Sequence, residues 1–142
     1  DDKIFFSSNS NTFSLSLYTG ETIWKKNISS ISAPIVSGKN IFIVTKHGYF
    51  IILDKNTGEV LSSSNILKIL KKKKQNTNVT GFIMGSDNIY SITLNGFLIR
   101  SSAITGKTEY FKKIGSSNRT SLAISEGKLY IMTEESKIIV LN

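Results

Sequence analysis

Apolar and polar positions alternate in short runs along this chain, and the runs recur. From Ile41 to Leu61 the sequence IFIVTKHGYFIILDKNTGEVL reads as an apolar run, a turn at His47-Gly48, a second apolar run, a turn at Thr57-Gly58 and a third strand. The same phrase returns from Ile89 to Phe111, and both Ile41 to Gly58 and Ile89 to Gly106 span 17 positions without a gap. A copy one residue shorter opens the chain, from Ile4 to Gly20, with Ile23-Trp24 after its turn. A truncated copy closes it, from Leu129 to Asn142. Internal repetition of this length dominates every other structural signal, because each repeat is one supersecondary unit.

Each full repeat predicts four short antiparallel strands with turns at fixed offsets. First strands fall at Ile35-Val36, Phe82-Met84 and Leu122-Ile124; second strands begin at Ile4, Ile41, Ile89 and Leu129. Third strands are Phe13–Leu17, Phe50–Leu53, Phe97–Ile99 and Ile138–Leu141, and fourth strands Thr22–Lys25, Glu59–Ser62 and Thr108–Lys112. Second-strand starts are separated by 37, 48 and 40 residues. A four-stranded unit of about 40 residues is the signature of a β-propeller blade. The expected fold is all-β: a propeller segment of about 3.5 blades with PQQ/WD40-like repeats, in blade segments 1–31, 32–78, 79–118 and 119–142. Such an arc leaves edges that propellers remove by closing. The expectation is therefore an eight-bladed ring whose N-terminal half lies upstream of Asp1, with pairing of two chains as the alternative.

Local chemistry agrees with these strands. Gly20, Gly58 and Gly106 fall where a turn needs positive φ, which glycine adopts at least cost. Pro34 suits the start of a strand. The strict alternation Phe13-Ser14-Leu15-Ser16-Leu17 predicts one buried face. Phe42, Phe50, Phe82, Tyr90, Tyr110 and Tyr130 occupy apolar strand positions and are expected in the core.

Composition changes this picture little. The 142 residues include 39% hydrophobic residues, 10 Gly, one Pro and no Cys, which is globular and excludes disulfides and thiolate metal sites. No apolar run reaches the roughly 20 residues of a membrane helix. Charge is more informative. The net charge is +8, and five lysines (Lys68, Lys71, Lys72, Lys73 and Lys74) lie in one segment, leaving +3 for the rest. Ser64-Asn65 is placed to cap a short helical turn whose Ile66, Leu67, Ile69 and Leu70 grip the propeller. The five lysines then form a candidate partner surface for an acidic protein or lipid headgroups, or a solvated loop. Nucleic-acid binding is not expected, because the aromatic residues sit on strands rather than beside the basic segment.

Residues that carry chemistry are sparse. His47 is the sole histidine and sits in a hairpin turn, where a lone imidazole makes no metal cluster. No serine has the surroundings of a nucleophile motif. Asn27, Asn78 and Asn118 head sequons, which matter only in a eukaryotic secretory setting. No catalytic, cofactor-binding or metal residue is assigned, and the chain reads as a non-enzyme.

The element Thr19-Gly20-Glu21-Thr22-Ile23-Trp24, with Thr57-Gly58-Glu59 and Thr105-Gly106-Lys107, resembles the PQQ-type propeller repeat. The order of segments resembles the C-terminal half of the BamB family, periplasmic lipoproteins of the outer-membrane β-barrel assembly machinery. The phrases that carry this are YTGETIWKKNISSISAPIVSGKNIF (Tyr18–Phe42), SNILKIL (Ser64–Leu70) and EGKLYIMTEESKIIVLN (Glu126–Asn142). Trp24 occurs in the first repeat alone, with Leu61 and Tyr110 in the equivalent places. The resemblance implies a non-catalytic scaffold at the outer membrane, lipid-anchored through its parent's N-terminus and docked on BamA-like POTRA domains. It also implies that the docking loops belong to earlier blades. Quinoprotein dehydrogenases share the repeat and supply the alternative reading, although Asp54, Glu59, Glu109, Glu134 and Glu135 are scattered over turns and strand ends.

Overall fold

A computed structural model of the chain describes residues 2–71, 77–115, 122–133 and 135–142 in full, and 72–74 by backbone. The side chains of Lys72, Lys73 and Lys74, the Asn118 sequon and Glu134 thus lie outside the described residues. The first sheet is β1 (Lys3–Ser7), β2 (Thr12–Ser16) and β3 (Thr22–Lys26). The second is β4 (Ile35–Ser37), β5 (Asn40–Val44), β6 (Tyr49–Asp54) and β7 (Val60–Asn65). The third is β8 (Val79–Gly85), β9 (Asn88–Thr93), β10 (Phe97–Ser102) and β11 (Thr108–Lys113). The last is β12 (Leu122–Ser125), β13 (Lys128–Met132) and β14 (Ile138–Leu141). In every sheet consecutive strands pair antiparallel, so these are meander blades of three, four, four and three strands.

The hairpin between third and fourth strands is built the same way three times. The N–H of Gly20, Gly58 and Gly106 donates to the carbonyl four residues earlier, on Ser16, Asp54 and Ser102, each at 2.9 Å. The side chain of that same residue accepts the threonine N–H: Ser16 Oγ from Thr19, Asp54 Oδ1 from Thr57, Ser102 Oγ from Thr105. All three glycines have φ near +70°, at 72, 68 and 70. A bulge follows at the same place in each blade, between Ser14 and Leu15, Ile52 and Leu53, and Arg100 and Ser101. The conserved turn chemistry thus sets an identical kink in each outer strand.

Three clusters form the core, one at each sheet-to-sheet contact. Trp24, Ile41, Ile43, Ile51 and Leu53 fill the first. Phe42, Val44, Phe50, Ile52, Phe82, Ile89 and Ile99 lead the second. Ile92, Leu98, Leu129 and Ile131 form the third. Successive residues of a strand point to opposite faces, so Ile41 and Phe42 enter different clusters. That is why the inner strands of the second sheet are nearly continuous runs of apolar residues.

Three expectations change. The alternation of Phe13 to Leu17 does mark two faces, but Thr12 and Ser14 are the fully buried residues and Phe13 and Leu15 lie on the open side. The cause is volume: Ser14 stands opposite Trp24, whose indole already fills that contact. Leu61 is not the counterpart of Trp24. Ser62 is, because it takes the register position before the bulge and packs at Gly106, while Leu61 is 54% exposed. Tyr110 does take the Trp24 register position, yet it is 45% exposed instead of buried, with the Arg100 guanidinium 5.8 Å from its ring. Phe42, Phe50 and Phe82 are buried as expected.

Candidate interaction surfaces

The strand order sorts every loop onto one of two rims. One carries the threonine-glycine turns together with the turns at Gly38-Lys39, Ser86-Asp87 and Glu126-Gly127. Across it the N–H of Lys55 donates to Lys39 O and that of Ala103 to Asp87 O, both at 2.8 Å. The other rim carries the turns after β1, β5, β9 and β13 and the links between sheets. There Ile66 N–H donates to Gly48 O at 2.9 Å, Leu94 N–H to Asn78 O at 2.8 Å and Ile114 N–H to Gly96 O at 2.9 Å.

The predicted lysine surface lies on this link rim. Ile66 to Lys74 form a 3-10 segment, longer than the short turn expected and broken at Lys71, whose φ is 50. Asn65 caps it, its Oδ1 accepting the Leu67 N–H at 3.0 Å, whereas the Ser64 hydroxyl goes to Gly106 O at 2.7 Å. Ile66, Leu67 and Leu70 are buried in the central cluster, and Gly48 leaves the space that Leu67 occupies. With its apolar side held in this way, the segment exposes Lys68 and Lys71.

The sequence reading missed that other bases share the rim. Lys25 and Lys113 come from the ends of β3 and β11, and Lys46 from the turn after β5, whereas Lys26 reaches the next blade's turn, its Cε 3.1 Å from a Cβ at Gly58, and Lys112 lines the groove beside Gly127 and Lys128. Lys25 lies 5.6 Å from the Phe13 ring and Lys113 lies 4.7 Å from the Phe97 ring. The signal was present: fourth strands of alternate blades end in the pairs Lys25-Lys26 and Lys112-Lys113. Its meaning needed the topology, which brings those ends to one side.

Two grooves open between blades. One, of about 610 Å³, lies between the third and last sheets and is lined by Tyr90, Arg100, Tyr110, Lys112 and Leu141. Arg100 Nη2 stands 3.5 Å from Glu109 Oε2 at its mouth. The second, of about 940 Å³, opens on the link rim among Asn27, Ser29, Lys46, His47, Tyr49 and Asn78. His47 is an exposed turn residue there.

The carboxylates serve turns. Asp54 Oδ1 accepts the N–H groups of Asn56 and Thr57 at 2.8 and 2.9 Å. Hydrogen bonds from the Thr57 and then the Asn56 backbone hold its pKa below the ordinary 3.8. Among the described residues no three His, Asp or Glu side chains gather as metal ligands. Trp24 is not free to stack on a quinone: it is buried against Gly58, and its indole N–H donates to Lys55 O at 3.1 Å.

Residues 1–64 match the family described as outer membrane protein assembly factor BamB. No curated protein matches the chain. Among solved structures, BamB from Moraxella catarrhalis superposes with a TM-score of 0.76 at 17% identity, covering 100% of this chain and 42% of that one. The chain is a stretch of β-propeller whose first 64 residues resemble BamB. It spans well under half the length of that BamB. The Cps50 (Swd1) β-propeller domain of Myceliophteria thermophila matches at TM-score 0.73 and 13% identity, over 98% of this chain and 47% of that one. Quinohemoprotein alcohol dehydrogenase from Comamonas testosteroni matches at 0.66 and 16%, over 79% and 19%. At these identities the likenesses establish the propeller fold of the BamB-like chain, which scaffolds and quinoproteins share.

Proposed function

We propose that this BamB-like chain belongs to a non-catalytic propeller scaffold that serves the assembly of outer-membrane β-barrel proteins. Its compartment on this reading is the periplasm, at the outer membrane, with the parent held by a lipid anchor. The partner is a BamA-like array of POTRA domains. The observation that carries the proposal is the BamB family match over residues 1–64, within a chain whose fold superposes on BamB over its whole length. The open face of the first sheet, with Ile4 46% and Phe6 39% exposed, further supports a ring with more blades.

Mechanistically the stiffness of packed blades presents rim loops and strand edges in fixed positions. A protein interface draws most of its affinity from a few apolar or aromatic anchors. On the threonine-glycine rim, Tyr18 is 80% and Ile104 75% exposed, each within its turn and one residue before the threonine, and they offer such anchors. Purified BamA-type POTRA domains, titrated into the scaffold by calorimetry, test the proposal. Saturable binding that weakens on Tyr18→Asp and Ile104→Asp is expected. Heat signals no larger than dilution would reject a POTRA partner. Detection of a bound quinone and calcium by mass spectrometry would instead return the protein to the quinoprotein class.

A further inference from the structure

Charge is divided between the two rims. The threonine-glycine rim carries nearly every acid of the described chain: Glu21, Asp54 and Glu59 beside its turns, Asp87 and Glu126 in its short hairpins, and Glu109 at the start of β11. Its bases, such as Lys39, Lys55 and Lys107, are interspersed with them. The link rim is different. Lys25 stands at the end of β3, Lys46 follows β5, Lys68 and Lys71 stand on the 3-10 segment, and Lys113 ends β11, whereas Lys26 and Lys112 reach the next blade, Lys26 Cε lying 3.1 Å from a Cβ at Gly58 and Lys112 lining the groove beside Gly127 and Lys128. Among the described residues that rim has one acid, Glu135, already paired with Lys137 at 2.6 Å. The positive excess of the described residues is therefore an oriented property.

We propose that the link rim is a docking face for an anionic lipid surface, lying against phosphate headgroups with the threonine-glycine rim turned away. Two features select this partner. The lysines do not converge. The groove on this rim is lined chiefly by Asn, Ser, Thr and aliphatic groups, with Lys46 its one lysine, so the charge suits a surface of distributed charge better than one ligand. Finally, the rings under these lysines are not open platforms, since Phe13 beside Lys25 is half-buried and stacked on Phe6 and Phe97 beside Lys113 is buried, and nucleic-acid grooves depend on such platforms. Lysines on long stems near an anionic leaflet contribute additively and are screened by salt. The acidic opposite rim orients approach, because it is repelled by the same surface. The inference stands independently of any POTRA partner.

Co-sedimentation with phosphatidylcholine vesicles, with and without phosphatidylglycerol, tests it across a salt series. Binding is expected only with phosphatidylglycerol and should fall steeply with salt. Lys68→Glu with Lys71→Glu, or Lys25→Glu with Lys46→Glu, should weaken it about 30-fold per pair. Lys39→Glu with Lys107→Glu makes the same change in net charge on the other rim and should leave binding within about threefold of wild type. Glutamine versions of each pair, checked by thermal unfolding, separate lost charge from lost fold. Equal losses from both rims would reduce the effect to net charge and overturn the proposal. So would failure to bind phosphatidylglycerol vesicles, and so would binding to polyglutamate without binding to vesicles, which would make the partner an acidic protein.

Discussion

The indole of Trp24 occupies the space in front of Gly58: a Cβ placed on that glycine would lie 2.7 Å from Trp24 Cδ2. The contact joins the fourth strand of one blade to the turn of the next. In the following blade the same geometry recurs with the volumes exchanged. Ser14 faces Trp24 in the first sheet, whereas in the second Ile52 faces Ser62, and Ser62 with Ile52 meets Gly106. One large and one small residue fill each contact, in either order.

Gly58→Ala should therefore cost more than Gly20→Ala. Both glycines have positive φ, but a Cβ at Gly20 meets nothing within 4 Å. Urea unfolding should show a loss of about 1–2 kcal/mol for Gly20→Ala, from backbone conformation alone, and a larger loss for Gly58→Ala. In a Trp24→Ala background the difference between the two glycines should shrink. Trp24→Ala alone should cost about 3–5 kcal/mol.

The 3-10 segment is anchored by its apolar side, not by its lysines. Leu70→Ala, at a residue 1% exposed, should lower stability by about 2–5 kcal/mol. Lys68→Ala should stay within about 0.5 kcal/mol. A reversed order in denaturant titrations would mean that the segment is held by charge.

Asp54 predicts a pH response with a definite sign. Its folded pKa is lowered by the Thr57 and Asn56 backbone N–H groups, so the ionised form is the one the turn favours. The contribution is complete above the unfolded value of about 3.8 and is lost as pH falls through the lower folded value. An NMR titration following the Asp54 carboxyl carbon should give a midpoint below 3.8. In Asp54→Asn this part of the acid dependence of stability should vanish.

The last sheet presents an apolar outer face on β14, with Ile138 65% and Val140 48% exposed, while Ile139 and Leu141 pack inward. Light scattering over a concentration series should show self-association. Ile138→Lys with Val140→Lys should abolish it without disturbing the fold, since lysines guard exposed edges. A mass curve unchanged by these substitutions would place the contact elsewhere.

By itself the sequence determined the blades. Period, turn glycines and the threonine beside each are local, since a glycine at positive φ and a hydroxyl or carboxylate four residues before it close the same turn wherever the chain runs. The fourteen strands of the described residues and their grouping were legible for that reason. Only the tertiary structure decided what faces what. Whether Ser14 or Leu15 is buried depends on Trp24 across the hairpin; Ser62 replaces Leu61 because a bulge shifts the register; Tyr110 is exposed because it lines a groove where Trp24 meets a turn. The candidate surface followed the same division. Five lysines in one segment were visible in the sequence, but Lys25, Lys46 and Lys113 join Lys68 and Lys71 only because antiparallel strands return alternate loops to one rim. Charge position is a long-range consequence of strand direction, and no local pattern of residues encodes it.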